Sequence, residues 1–160
     1  MPMNVGDVMP RLEGATEWFN ATQAHAEAEA KGHPTLVHFW SVSCDECKAA
    51  MPRITAWREE HRARGLRVVA VHVPLTEDDE DVEIVREALT PLNITEPCAV
   101  DNERKLYEAF RNERTDVPAY YLFGREGKLV CSAGAAESPE VIASALETLL
   151  TTGVGASQAK

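Results

Sequence analysis

Residues 38–54 read HFWSVSCDECKAAMPRI, and the two cysteines within them, Cys44 and Cys47, are separated by two residues. Such a pair can be half of a zinc site, two buried small residues or a redox couple. The surroundings narrow the choice. PTLVHFW (34–40) is a β-branched and aromatic run, the pattern of a strand buried on both faces. The residues from about Cys44 to Arg64 read as a helix, which Gly65 stops. The pair therefore lies at the mouth of a helix that leaves a central strand. There a sulfur meets unpaired backbone N–H groups and the positive end of the helix dipole, both of which favour thiolate over thiol. Cys44 is the expected nucleophile. Cys47, one turn further on and on the inner side, can reach the same sulfur and is the expected resolving thiol.

LRVVAVHVP (66–74) is a second near-continuous apolar run, so strand, helix and strand form a right-handed unit with parallel strands. Around it the pattern predicts a helix over 21–31 ended by Gly32, and a helix over 76–89 capped by Thr76. The acids at the start of the latter read as a solvated first turn, because they lack calcium-loop spacing. A short strand at 97–101 and a helix at 103–110 follow. Strands at 119–123 and 128–134 flank a hairpin turn at 124–127. The last helix spans 138–150, with Ser138 as cap and Pro139 at its first position. No repeat or linker interrupts this alternation, so the reading is one α/β domain over 1–150, a sheet flanked by helices, with a frayed tail at 151–160.

The 160 residues carry 26 acidic against 16 basic side chains, a net charge of −10. Such a surface repels phosphate backbones and anionic headgroups, which argues against nucleic acid and membranes as partners. The first residues show no signal-peptide pattern and no run is long enough to span a bilayer, so a cytoplasmic location is expected. In a reducing compartment, four cysteines point to redox or metal chemistry rather than to a disulfide framework. Zinc needs four ligands, yet Cys98 and Cys131 stand singly in strand-like runs and His61 and His72 show no ligand spacing. No metal is expected, and Cys98 and Cys131 read as buried small hydrophobes. Trp57, on the long helix, reads as an anchor to the core or as a partly exposed surface aromatic. No glycine-rich dinucleotide fingerprint occurs, so the expected cofactor is none beyond the redox-active disulfide.

The order strand-HFW-x-x-x-C-x-x-C-K, a helix carrying Pro52, and VPAYYLFGREGKL (117–129) resembles the thioredoxin superfamily. The extra strand and helix before Pro118 resemble its ResA/TlpA branch, and HFWS-x-S-C-x-x-C-K with VPAYY resembles the small soluble YkuV type. The similarity runs from Pro34 to the final helix. It implies a thioredoxin-like fold with a central mixed sheet and a strand-helix insertion between the CxxC helix and the cis-proline strand. It also implies a thiol-disulfide oxidoreductase in which Cys44 and Cys47 are catalytic. By the same resemblance Pro118 is a cis-proline facing the pair, and Val117 is free to pair with an extended substrate chain. Trp40 matches the earlier tryptophan of the motif, whereas Ser43 stands where thioredoxins carry a second one. Trp40, Ser43, Asp45 and Glu46 are thus supporting or substrate-binding candidates. His38 replaces the buried aspartate of thioredoxins; it either relays a proton to or from Cys47 or is a satisfied core residue.

Electrostatics set the expected direction of electron flow. The helix dipole stabilises an anion at the N-terminus by roughly 0.3 to 2 kcal/mol, while a carboxylate about 7 Å away opposes it by roughly 0.6 kcal/mol in water. With both Asp45 and Glu46 present the terms nearly cancel, leaving the Cys44 thiol near its ordinary range. A dithiol without special thiolate stabilisation is reducing. The expected partners are disulfide-containing proteins or small molecules, with an external electron donor such as a thioredoxin-reductase-like flavoenzyme. Two other readings stay open. Ser41, three residues before Cys44, fits a thiol peroxidase, although Val37 stands where peroxiredoxins have proline. A copper carrier of the same fold has C-x-x-x-C, one residue longer than the spacing here.

Overall fold

Every residue of 34–40 is buried because the run becomes the middle of a six-stranded sheet. The computed structural model describes residues 3–110, 117–135, 137 and 139–152. Its elements in chain order are β1 (Glu17–Phe19), α1 (Gln23–Ala30), β2 (Thr35–Trp40), α2 (Asp45–His61), β3 (Arg67–His72), α3 (Val82–Leu89), β4 (Cys98–Val100), α4 (Lys105–Ala109), β5 (Ala119–Phe123), β6 (Leu129–Ala133) and α5 (Glu140–Thr152). The sheet order is β1-β4-β3-β2-β5-β6. β2 runs parallel to β3 and antiparallel to β5, so the sheet is mixed. The fold is thioredoxin-like, with α3 and β4 as the expected insertion between the CxxC helix and the strand that follows Pro118.

Alternation along β2 assigns its side chains to two layers. Phe39 points to one side, where it meets Tyr107, Phe110 and Tyr121 edge-on at 6.1, 5.3 and 5.7 Å between ring centres. Full burial of each such ring contributes on the order of 1.5–3 kcal/mol. His38 and Trp40 point to the other side, the one α2 covers. Trp57 of α2 packs edge-on against Tyr120 at 6.4 Å, as the anchor reading expects. Arg58, its neighbour on α2, reaches Glu96, two residues before β4.

Three local features depart from the sequence reading. β1, an edge strand antiparallel to β4, was not expected, since three residues are too few to display a period of two. The helix expected from Thr76 begins only at Val82, capped by the Asp81 side chain on the Glu83 N–H. A single 3-10 turn, Asp78–Glu80, comes before it. The physical reason is Asp79, which turns inward and is 3% exposed, so the acids do not all lie on one solvated helical face. Finally, α2 ends at His61 and tightens into a 3-10 turn over Arg62–Arg64, closed by Gly65 at φ 100°, a conformation that glycine adopts without a Cβ penalty. Ser138, the expected cap of α5, and residues 153–160 of the expected tail lie outside the described residues; α5 itself reaches Thr152.

Candidate active site

The end of β2 delivers the chain through Ser41, Val42 and Ser43 to Cys44, which is the N-cap of α2 in an extended conformation, φ −97° and ψ 107°. Its sulfur takes the place of the usual oxygen cap and accepts the Cys47 N–H at 3.1 Å. This is an otherwise unpaired helix donor aimed at sulfur. The two Cα atoms are 5.3 Å apart and the side chains form a disulfide. Cys44 is 8% exposed and Cys47 1%, so an incoming reagent meets Cys44 first. Asp45 and Glu46 are exposed on the first turn.

From across the sheet, the start of β5 closes on the same sulfur. Cys44 Sγ lies 3.6 Å from the Val117 carbonyl oxygen, and the Val117–Pro118 peptide bond is cis. β5 is held there by its pairing with β2, Ala119 opposite Phe39.

The turn before Cys44 is gripped by Asp79, which the sequence reading placed among solvated acids, and by His72, which it weighed only as a zinc ligand. Oδ2 of Asp79 accepts the hydroxyls of Ser41 at 3.0 Å and Ser43 at 2.6 Å, and the backbone N–H groups of Leu75 at 2.9 Å and Thr76 at 3.1 Å. Burial pushes this carboxyl up, but the bonds from Ser43, Leu75, Ser41 and Thr76 outweigh it and hold Asp79 below the ordinary carboxylate value. Between the two serines, the Val42 N–H donates to His72 Nε2 at 3.1 Å. His72 is wholly buried at the end of β3, and that burial lowers it to about 4, against the opposing pull of Asp79. It is therefore a neutral acceptor. Trp40 is wholly buried with its ring edge-on to His72 at 4.8 Å, so it supports the turn from beneath.

With this geometry in place, the likeness to known proteins is specific. The AhpC/TSA family model matches residues 5–132. The chain belongs to the AhpC/TSA family. Within that family its kind is the thioredoxin-like thiol-disulfide oxidoreductase. The thiol-disulfide oxidoreductase YkuV of Bacillus subtilis (strain 168) is 41% identical over 127 residues, spanning 79% of this chain and 83% of that protein. ResA of Oceanobacillus iheyensis, also named a thiol-disulfide oxidoreductase, is 27% identical over 110 residues, 67% of this chain and 54% of that protein. A solution structure of a thioredoxin-like protein in the oxidized form matches at a TM-score of 0.82 and 36% identity, covering 93% of this chain and 98% of that one.

Beneath the disulfide, this AhpC/TSA-family chain buries a charged cluster. His38 Nε2 is 2.7 Å from Glu96 Oε2, and Arg58 Nη1 donates to Glu96 Oε1 at 2.5 Å. Burial pushes Glu96 up, yet its bond and charge interaction with His38, together with Arg58, hold it below the ordinary value. His38 Nε2 thus has a buried partner, whereas its Nδ1 is buried without a hydrogen-bond partner, so these contacts leave both readings of His38, proton relay and core residue, standing. Neither Glu96 nor Arg58 was singled out from sequence, because Arg58 lies mid-helix and Glu96 in a loop.

The other two cysteines stay apart. β4 and β6 are separated by four strand steps, about 19 Å at the usual strand spacing, so Cys98 and Cys131 cannot bond to each other. Burial raises the Cys98 thiol to about 12 and raises Cys131 as well. Among the described residues no group of three His, Cys, Asp or Glu side chains is placed to hold a metal ion, and no helix is long and apolar enough to cross a membrane.

Proposed function

We propose that the protein reduces disulfides in proteins or small molecules, with Cys44 as nucleophile and Cys47 as resolving thiol. The observation that carries this is the Cys44 sulfur at the α2 N-cap, bonded to by the Cys47 N–H and adjacent to a nearly inaccessible Cys47. In the reduced protein, the Cys44 thiolate attacks one sulfur of the substrate disulfide and expels the other as a thiolate, forming a mixed disulfide. Cys47 then gives up its proton and attacks Cys44. The mixed disulfide breaks, the second substrate thiol leaves, and the Cys44–Cys47 disulfide carries away two electrons' worth of oxidation. An external dithiol or flavoenzyme, such as a thioredoxin-reductase-like protein, returns those electrons. The substrate chain lies extended along Val117, with cis-Pro118 facing the sulfurs. Ser43, Asp45 and Glu46 border the approach, and the reaction takes place in the cytoplasm.

The exposed acids of the first turn support the reducing direction, because they oppose the thiolate that a strong oxidant would need. The peroxidase reading asks Ser41 to act beside Cys44, but Ser41 is fully buried and its hydroxyl is given to Asp79. Equilibration of the couple against glutathione and dithiothreitol series, alongside insulin reduction, tests the proposal. A potential below that of the glutathione pool and catalysed insulin reduction are expected; a more oxidising potential overturns the reductase direction.

A further inference from the structure

We propose that Asp79 is a positioning residue for the thiol chemistry: through Ser41 and Ser43 it holds the turn that presents Cys44, and its charge restrains ionisation of the Cys44 thiol. The proposal rests on the reading of Cys44 as the nucleophile. A turn-forming aspartate needs only local partners, and Leu75 and Thr76 are those. The two serine hydroxyls come from a segment 38 and 36 residues earlier. Together with His72 on the Val42 N–H, they leave each residue between Trp40 and Cys44 fastened to the β3 side of the site. The grip continues into the nucleophile, whose own N–H donates to the Ser41 carbonyl at 3.0 Å.

The charge matters because of where it sits. Asp45, Glu46 and Lys48 surround Cys44 on its own helix and are exposed, so water and salt screen them. From the β3 side come neutral His72 and Asp79, and Asp79 is 3% exposed. A buried carboxylate hydrogen-bonded to the residue next to Cys44 acts through less screening than the exposed pair.

The test is the pH profile of Cys44 alkylation by iodoacetamide in the reduced full chain, read from the mass of the Cys44 peptide, with the plateau rate of insulin reduction above the thiol pKa. Asp79→Asn keeps an acceptor oxygen and removes the charge; Cys44 should ionise about one pH unit lower, roughly tenfold more thiolate at pH values well below both midpoints. Ser43→Ala keeps the charge and removes a hydrogen bond; its alkylation midpoint should stay near wild type while the plateau rate falls about fivefold. A merely structural Asp79 would lower the melting temperature and leave the Asp79→Asn midpoint in place, which overturns the proposal. If Asp79→Asn fails to fold, an unchanged Ser43→Ala plateau overturns it instead. Cys44→Ser separates the two levels: full exchange in that variant defeats the nucleophile reading itself, whereas loss of exchange with unmoved profiles defeats only the role of Asp79.

Discussion

The Val117 carbonyl oxygen stands 3.6 Å from Cys44 Sγ, so two segments 73 residues apart in the chain meet over the disulfide. One is the mouth of α2, which supplies the N–H that sulfur accepts. The other is the entry to β5, whose Val117 carbonyl faces that sulfur. The sheet makes the meeting obligatory, because β2 and β5 are neighbours whose paired register runs from Thr35 opposite Phe123 to Phe39 opposite Ala119.

The unequal exposure of the two sulfurs predicts unequal variants. In Cys47→Ser, the 8% exposed Cys44 can still attack, but nothing displaces the adduct, and a mixed disulfide with substrate should accumulate. In Cys44→Ser, the 1% exposed Cys47 should form little adduct. Non-reducing gels and intact mass after incubation with a disulfide-bonded protein read this directly. Equal trapping by both variants sinks the assignment of roles.

His72 predicts a pH dependence of stability. Its folded value, about 4, lies below the ordinary 6.5, so between those values the unfolded chain binds more protons than the folded one. Stability is therefore complete above about 6.5 and declines as the pH falls toward 4, by about 3 kcal/mol in total from this residue. His72→Gln can still accept the Val42 N–H but does not titrate. Urea midpoints measured from pH 7 to 4.5 should fall less steeply for His72→Gln than for wild type; parallel slopes rule the mechanism out.

The CxxC pair, its strand and its helix are visible in the sequence because each depends on local pattern: a buried apolar run, a helical stretch and a glycine stop. The shell that holds them is not. Asp79 is one of five consecutive acids, 77–81, and only tertiary packing decides which of them turns inward. Arg58 and Glu96 look like surface charges until α2 is laid on the sheet beside β4. His72 sits in an apolar run whose periodicity marks it as buried, but periodicity names no partner. The residues hidden from the sequence reading are thus those whose role arises between segments.

Glu96 tests the buried cluster. Its carboxyl is held low in the folded protein, so it contributes stability above the ordinary carboxylate range, and that contribution is lost as the pH falls through its depressed folded value. Glu96→Gln removes the buried charged partner of Arg58, which keeps its bonds to the exposed Glu59 and to the Asn93 carbonyl, and should destabilise by roughly 1–3 kcal/mol. The same variant separates the two readings of His38. If His38 is a satisfied core residue, only the urea midpoint moves; a shifted pH profile for resolution of the mixed disulfide by Cys47 would instead make it a proton relay.

Cys98 should behave as part of the core and take no share in exchange. It is fully buried in β4, and burial has raised its thiol to about 12, so at pH 8 it offers almost no thiolate. The strand order separates it from Cys131 by β3, β2 and β5, which no side-chain rearrangement can bridge. Diamide oxidation of the reduced native protein should therefore form a single intramolecular disulfide, Cys44 to Cys47. Pulse alkylation at pH 8 should label Cys44 in the native state and Cys98 only after unfolding. Cys98→Ala should retain disulfide exchange at close to the wild-type rate, since the change lies in the packed interior and not at the reacting sulfurs. Native labelling of Cys98 at the Cys44 rate, or a second disulfide joining Cys98 to Cys131, would contradict the placement of β4 in the sheet as well as the idle role of its cysteine.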